Sequence, residues 1–221
     1  MGEKMTPVYI IGGPGGGMIA ASLVEGRSDT YVAGFINDFV PKGEFIGKYS
    51  KYQVLGTTEI IPEVLEDKDA KLFVAYKTMK KEKEMLKKLE DLEIPSERFI
   101  SLFHKSSIIP SGFCSVGNGV LLAANAQLSS DTTIGDNCIL FGGAFVGHDS
   151  TLERYVTVAN NASIGARVNV GAASHIGSNS SIKEGVSIGK YSLVGIGAVV
   201  VRDVPENSIA IGNPARIIPK E

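Results

Sequence analysis

The chain has 221 residues, of which 43% are hydrophobic and 21% charged, an ordinary globular balance. A formal net charge of -2 offers no basic excess for nucleic acid, and no apolar run approaches the roughly 18–20 residues that a membrane span needs. Two cysteines, Cys114 and Cys138, make no disulfide framework, and Met1 to Val8 lacks a basic segment followed by an apolar one, so a cytoplasmic chain without a secretory signal is expected.

The first predicted element is a strand beginning at Val8 that runs into a glycine-rich turn, Gly12-Gly13-Pro14-Gly15-Gly16-Gly17. A helix over Met18 to Glu25 follows, then a second strand from Tyr31 to Ile36 that ends at Asn37-Asp38. Lys71 to Tyr76 reads as a third strand and Met79 to Leu92 as a lysine-rich helix. Together they predict an α/β unit of the βαβ, half-Rossmann kind. The strict dinucleotide pattern fails, because Met18 stands where its last glycine belongs, and no second half follows to hold a dinucleotide. Charge then thins out: residues 1–100 hold 14 basic and 16 acidic side chains, and residues 101–221 hold eight of each. The predicted division is residues 1–103 and 104–221, with the boundary between Phe103 and Pro110.

The second half repeats every six residues. Stepping from Val116 through Leu122, Leu128 and Ile134 to Val194 and Val200 meets fifteen branched aliphatics without a gap. Two residues before each stands a small or β-branched residue, as in Cys138, Ala144 and Ser150, and glycine often follows the aliphatic, as in Gly135, Gly147 and Gly165. A period of six fits neither a helix nor a half-buried strand. It fits a coil of three flat faces, 18 residues per turn, with aliphatic and small residue pointing inward and successive turns stacked about 4.8 Å apart. Glycine is expected to relieve the corner, where a side chain would crowd the backbone. Fifteen hexads give about five turns. The 24-residue spacing of Cys114 and Cys138 puts them on different faces and argues against a bond between them.

These hexads resemble the hexapeptide-repeat acyltransferases, whose parallel β-helix is left-handed, and Ile211-Gly212-Asn213-Pro214-Ala215-Arg216 resembles the closing signature of that superfamily. A small βαβ unit directly before the hexads resembles the bacterial sialic acid O-acetyltransferases and nucleotide-linked amino-sugar N-acetyltransferases. The resemblance implies a homotrimer with active sites between subunits, acetyl-CoA as co-substrate, no required metal, and transfer of acetyl to the amine of a nucleotide-linked amino-deoxy sugar for bacterial glycan biosynthesis. Two alternatives stand beside it: O-acetylation of sialic acid or another surface-polysaccharide sugar, and a non-catalytic β-helix scaffold.

Three histidines are available, and their separations do not make a metal site. His148 follows Val146-Gly147 just past an inward aliphatic, so it points out of the prism. Gly147-His148-Asp149 resembles the family's active-site segment, which implies His148 as general base with an acidic neighbour. The chemistry suits that role, since an imidazole titrates near neutrality and a carboxylate stabilises its charged form. Asp149 is adjacent in sequence; Asp131, one turn below, is the competing partner. His175 is expected on an outer surface and His104 at the domain junction. By hexad register the resemblance places acetyl-CoA against main-chain groups at Ala166, Ser178, Gly195 and Ile196, with the Ala166 amide as oxyanion donor. Thr157 stands where the family sometimes has a second histidine. Arg202 and Arg216 are candidates for CoA phosphates. The nucleotide sugar is expected at Pro14, Gly15 and Gly16, where glycine backbone and helix-start amides favour phosphate, with Asn37 and Asp38 at the next strand end and Lys77 as a further phosphate partner.

Overall fold

The computed structural model describes residues 5–75 and 82–220. Residues up to Leu102 form one compact unit, and residues from Phe103 onward form another.

In the first unit, strand β1 (Thr6–Ile11), helix α1 (Gly16–Glu25) and strand β2 (Thr30–Ile36) make the predicted βαβ unit, with β1 and β2 paired in parallel. Two strands that the hydropathy pattern does not announce follow, β3 (Phe45–Ile46) and β4 (Tyr52–Gly56), before β5 (Lys71–Val74). The sheet order is β3-β4-β2-β1-β5, parallel except for the β3–β4 hairpin on its edge. The predicted βαβ unit is therefore a five-stranded sheet. Helix α1 starts two residues before Met18, because Gly15 adopts φ 85° and its carbonyl takes the amides of Met18 and Ile19. Gly17 lets the helix lie flat on the sheet: a Cβ there would stand 2.8 Å from the Phe35 ring. Of the lysine-rich helix, Glu82–Asp91 is helical; Met79 and Lys77, like Tyr76, fall outside the described residues.

A single side chain ties the return to β5. Arg98 donates Nε to Ala70 O, Nη1 to Leu65 O and Nη2 to Asp67 O. Three carbonyls of one loop thus face one guanidinium, and charge-assisted bonds of this kind are the strong ones. Replacing Arg98 by alanine is expected to lower the stability of this unit by about 1–3 kcal/mol, read as a lower urea or thermal midpoint.

The second unit is a left-handed parallel β-helix. Its two-residue strands pair in strict 18-residue register, Phe145 on Ser163 and Val146 on Ile164, then Ser163 on Ser181 and Ile164 on Ile182. Three parallel sheets result, one per face. Fourteen of the fifteen predicted aliphatics are buried and Val116, in the first coil, is half-buried. The small column is buried with them from Val120 onward, and its serines need partners there. Ser150 Oγ donates to Gly165 O at 3.0 Å and accepts from Val168 N, while Ser174 and Ser192 repeat the pattern higher up. Cys114 and Cys138 are both unbridged. The chain closes with a hairpin of Ser208–Ile211 against Arg216–Pro219, turned by Gly212-Asn213-Pro214-Ala215.

Glycine's part in the corners differs from the expectation. The left-handed residue at each corner lies three places after the aliphatic, and most are not glycine: Asn125, Asp131, Asn137, Asp149, Asn161 and Arg167 all have φ between 56° and 59°. The short polar side chain of Asn or Asp tolerates that region better than most. The glycine directly after the aliphatic serves the stacking instead. A Cβ at Gly147 would lie 2.6 Å from Ala166 N, and one at Gly165 would lie 2.7 Å from Glu184 N. The crowding is with the next coil rather than within the corner.

Candidate active site

Val146 is locked inside the prism, so the chain must turn outward immediately after it, and His148 is carried on that turn. Its side chain is 49% exposed, that of Asp149 55%. Asp149 takes the left-handed corner conformation, which swings its carboxylate back to the preceding ring: His148 Nδ1 lies 2.6 Å from Asp149 Oδ2. Asp131 occupies the equivalent corner one coil below; among the described residues the His148 ring bonds to Asp149 and not to Asp131. A carboxylate on Nδ1 selects the tautomer with the proton there, which leaves the Nε2 lone pair facing outward to accept another.

Directly above His148, the Ala166 amide has no hydrogen-bond acceptor among the described residues, although its carbonyl is taken by Gly185 N. The coil beneath it is firm: Arg167 N donates to His148 O at 2.8 Å, and Ser150 Oγ holds Gly165 O. An outward lone pair and an unused amide thus stand one coil apart on one corner. Ser178 and Ile196 stack with each other on another corner, the one that follows the strand pairs His175–Leu193 and Ile176–Val194. The Ile196 side chain is 80% exposed there. Gly195 has both main-chain groups in use, donating to Ala210 O and accepting from Ala198 N. Thr157 is fully buried. Arg202 and Arg216 meet at the top of the coil, on a cleft of about 610 Å³ also lined by Val201, Ile211, Asn213 and Pro214. His104 is part of a turn, its Nδ1 close to both Ser106 N and Ser106 Oγ. His175 sits half-buried in a strand pair with Thr157. Among the described residues no group of three or more His, Cys, Asp or Glu is placed to hold a metal, and no helix is long and apolar enough to cross a membrane.

The candidate sugar site is at the carboxyl ends of the strands in the first unit. From β1 the chain moves to β2 on one side and later returns to β5 on the other, so the glycine turn sits at the switch point of the sheet. Asn37 is 5% exposed and braces that turn: Nδ2 donates to Gly12 O, and Oδ1 accepts from Phe39 N and Val40 N. Asp38 accepts from Thr58 N and Thr58 Oγ1, and Lys88 Nζ stands 3.5 Å from its Oδ2. Both residues therefore hold the loops in place around Pro14, Gly15 and Gly16, and the amides of the two glycines head helix α1. Lys77 lies outside the described residues. Two residues of the first site carry no sequence motif, Arg167 and Glu184; only stacking by 18 places them over Asp149 and His148.

No protein-family model matches this sequence, and a search of curated proteins finds no match. Solved structures do match along the whole chain. A histidine-to-asparagine variant of perosamine N-acetyltransferase from Caulobacter crescentus, in complex with CoA and GDP-perosamine, is 28% identical over 96% of each chain, with a TM-score of 0.81. The acetyltransferase domain of PglB from Neisseria gonorrhoeae shares the fold at 23% identity over 96% of this chain and 100% of that one, TM-score 0.79. WeeI from Acinetobacter baumannii does so at 24% identity, again over 96% and 100%, TM-score 0.77.

Proposed function

We infer that this chain, which has the two-part architecture of the hexapeptide-repeat sugar acetyltransferases, is an acetyl-CoA-dependent enzyme that acetylates the amine of a nucleotide-linked amino sugar. The observation that carries the reading is the corner where His148, oriented by Asp149, stands one coil below the unused amide of Ala166. Support comes from a structure of the same fold at 28% identity that holds CoA and GDP-perosamine and carries a substitution at a histidine.

The residues divide the reaction between them. The neutral sugar amine attacks the thioester carbonyl, forming the N–C bond, while His148 Nε2 takes the proton that the nitrogen loses. Negative charge collects on the carbonyl oxygen, and the Ala166 N–H is set to donate to it. Collapse breaks the C–S bond, and His148 returns its proton to the departing CoA sulfur. Asp149 stabilises the imidazolium between those two events.

His148 and Ala166 stand on one corner, and Ser178 and Ile196 stand on another. A second copy can bring them together, which supports a homotrimer with the donor between subunits. There Ser178 and Ile196 offer unused amides, while Gly195 acts by its lack of a side chain: a Cβ would stand 2.8 Å from Ile211. The cleft shared by Arg202 and Arg216 takes the phosphate end of CoA. Arg216→Ala, and separately Arg202→Ala, is expected to raise KM for acetyl-CoA about tenfold with kcat nearly unchanged, because a charge-assisted bond is made equally in ground and transition states. The nucleotide sugar binds at the switch point, with its diphosphate on the amides at Gly15 and Gly16, Pro14 shaping the turn, Asn37 bracing it and Asp38 beside it. Such an enzyme works in the cytoplasm, where both acetyl-CoA and nucleotide sugars are made.

The test is release of free thiol from acetyl-CoA with GDP-, UDP- and dTDP-linked 4-amino sugars offered in turn. Turnover with at least one is expected. Turnover confined to hydroxyl acceptors would overturn the amine assignment.

A further inference from the structure

The carboxylate that orients His148 has a cation stacked directly over it. Asp149 and Arg167 occupy the same left-handed position in successive coils, each with φ 56°. The strands that feed these corners pair Val146 with Ile164. Coils stack about 4.8 Å apart, so an arginine side chain reaches a carboxylate one coil below with no backbone movement. The root of Arg167 is moreover fixed to the site, because its amide donates to His148 O at 2.8 Å. Yet its guanidinium turns the other way. Arg167 Nη2 lies 3.3 Å from Glu184 Oε2 in the coil above, and Asp149 Oδ2 remains 2.6 Å from His148 Nδ1. Arg167 and Glu184 are 55% and 63% exposed, so their pair is screened and weak.

We propose that Glu184 is a positioning residue that holds Arg167 away from Asp149 and so leaves Asp149 to His148. This deepens the acetyl-transfer reading and rests on it. Without Glu184 the Arg167 fork closes on Asp149, which accepts it readily in bidentate fashion. His148 then loses its orienting partner and gains a neighbouring cation, and both changes weaken its hold on a proton. The other charged groups on this corner are Asp131 one coil below, Lys183 beside Glu184, and Arg202 and Asp203 at the top of the column, where Asp203 already accepts from Ser187 N. All of these stay constant across the variants below.

The experiment is an NMR titration of the His148 ring in the intact chain, with its signal assigned by its loss in His148→Asn. Wild type is compared with Glu184→Gln, Arg167→Gln and the double variant. The expected result is a titration midpoint lower by about half a pH unit in Glu184→Gln, a shift that disappears when Arg167 is also replaced. In parallel, kcat/KM is expected to fall about five- to tenfold in Glu184→Gln and to recover in the double variant. An unmoved midpoint in Glu184→Gln would overturn the proposal. So would an equal shift with and without Arg167, since that is the through-space effect of the lost charge alone. The titration does not depend on turnover, so these outcomes stay separate from failure of the acetyl-transfer reading, which the activity of His148→Ala decides.

Discussion

Replacing His148 by alanine is expected to lower kcat for acetyl transfer by about 10²- to 10⁴-fold and to leave KM for acetyl-CoA within about threefold of wild type. The size follows from the task. A protonated amine nitrogen cannot expel CoA cleanly, so a group must take its proton as the N–C bond forms, and at this corner the outward Nε2 of His148 is the group with a free lone pair. The fold should survive the change. The side chain is half exposed and its hydrogen bond is to Asp149, whereas the bond that holds the corner runs from Arg167 N to the His148 main-chain oxygen and persists whatever side chain is present. Thermal midpoints of variant and wild type should therefore agree within a degree or two, and the loss should appear in kcat. Asp149→Asn is the companion. Asparagine accepts the left-handed corner as aspartate does, as Asn161 and Asn179 show two and five hexads along in other corners of the coil. The backbone is retained and only the charge beside Nδ1 is removed, so a fall of about tenfold is expected. Wild-type kcat in His148→Ala, measured by thiol release, would sink the assignment of the base.

The β-helix was legible because each inward position is decided by one residue against its neighbours 18 places away. Val146 must match Ile164 and Ile182, and a column of aliphatics has no other use at that spacing. The outward turn of His148 follows from the same register. The contact between His148 and Asp149 does not, because it depends on a left-handed φ at Asp149 that no single-residue preference reports, and Asp131 in the equivalent corner has the same φ without a histidine before it. The expected use of glycine failed for a related reason. A glycine after each aliphatic suggests a tight turn, but the constraint comes from backbone one coil away and is invisible to local sequence. In the first unit, β3 and β4 escaped because strands of two and five residues carry too little alternation to stand out. Asn37 and Asp38 were placed correctly at a strand end, but their bonds to Gly12, Phe39, Val40 and Thr58 are long-range or turn contacts that pattern cannot supply.

Gly147→Ala is expected to damage both fold and activity, and Gly185→Asn to damage neither, although both remove a glycine of the β-helix. The two positions are constrained in opposite ways. Gly147 has no positive φ, yet an added Cβ would stand 2.6 Å from Ala166 N, 2.6 Å from Gly165 C and 2.7 Å from Gly165 O. These are backbone atoms of the next coil and cannot rotate away, so the coils must part. Overpacking of this kind costs about 1–3 kcal/mol, and here the displaced atoms include the amide assigned to the oxyanion and the neighbours of His148. Gly185 is the reverse case. Its φ is 74° and nothing lies within 4 Å of an added Cβ. Ten other corners place a non-glycine residue in that conformation, several of them asparagine, so Gly185→Asn meets open space in an acceptable backbone region. The bond from its amide to Ala166 O is retained. Its stability should stay within about 0.5 kcal/mol of wild type, with the asparagine's smaller unfolded-state freedom offsetting residual strain. Thermal melts of the two variants, paired with kcat, separate the constraints. A Gly147→Ala protein with wild-type midpoint and turnover would mean that the coils yield where the backbone distances say they cannot.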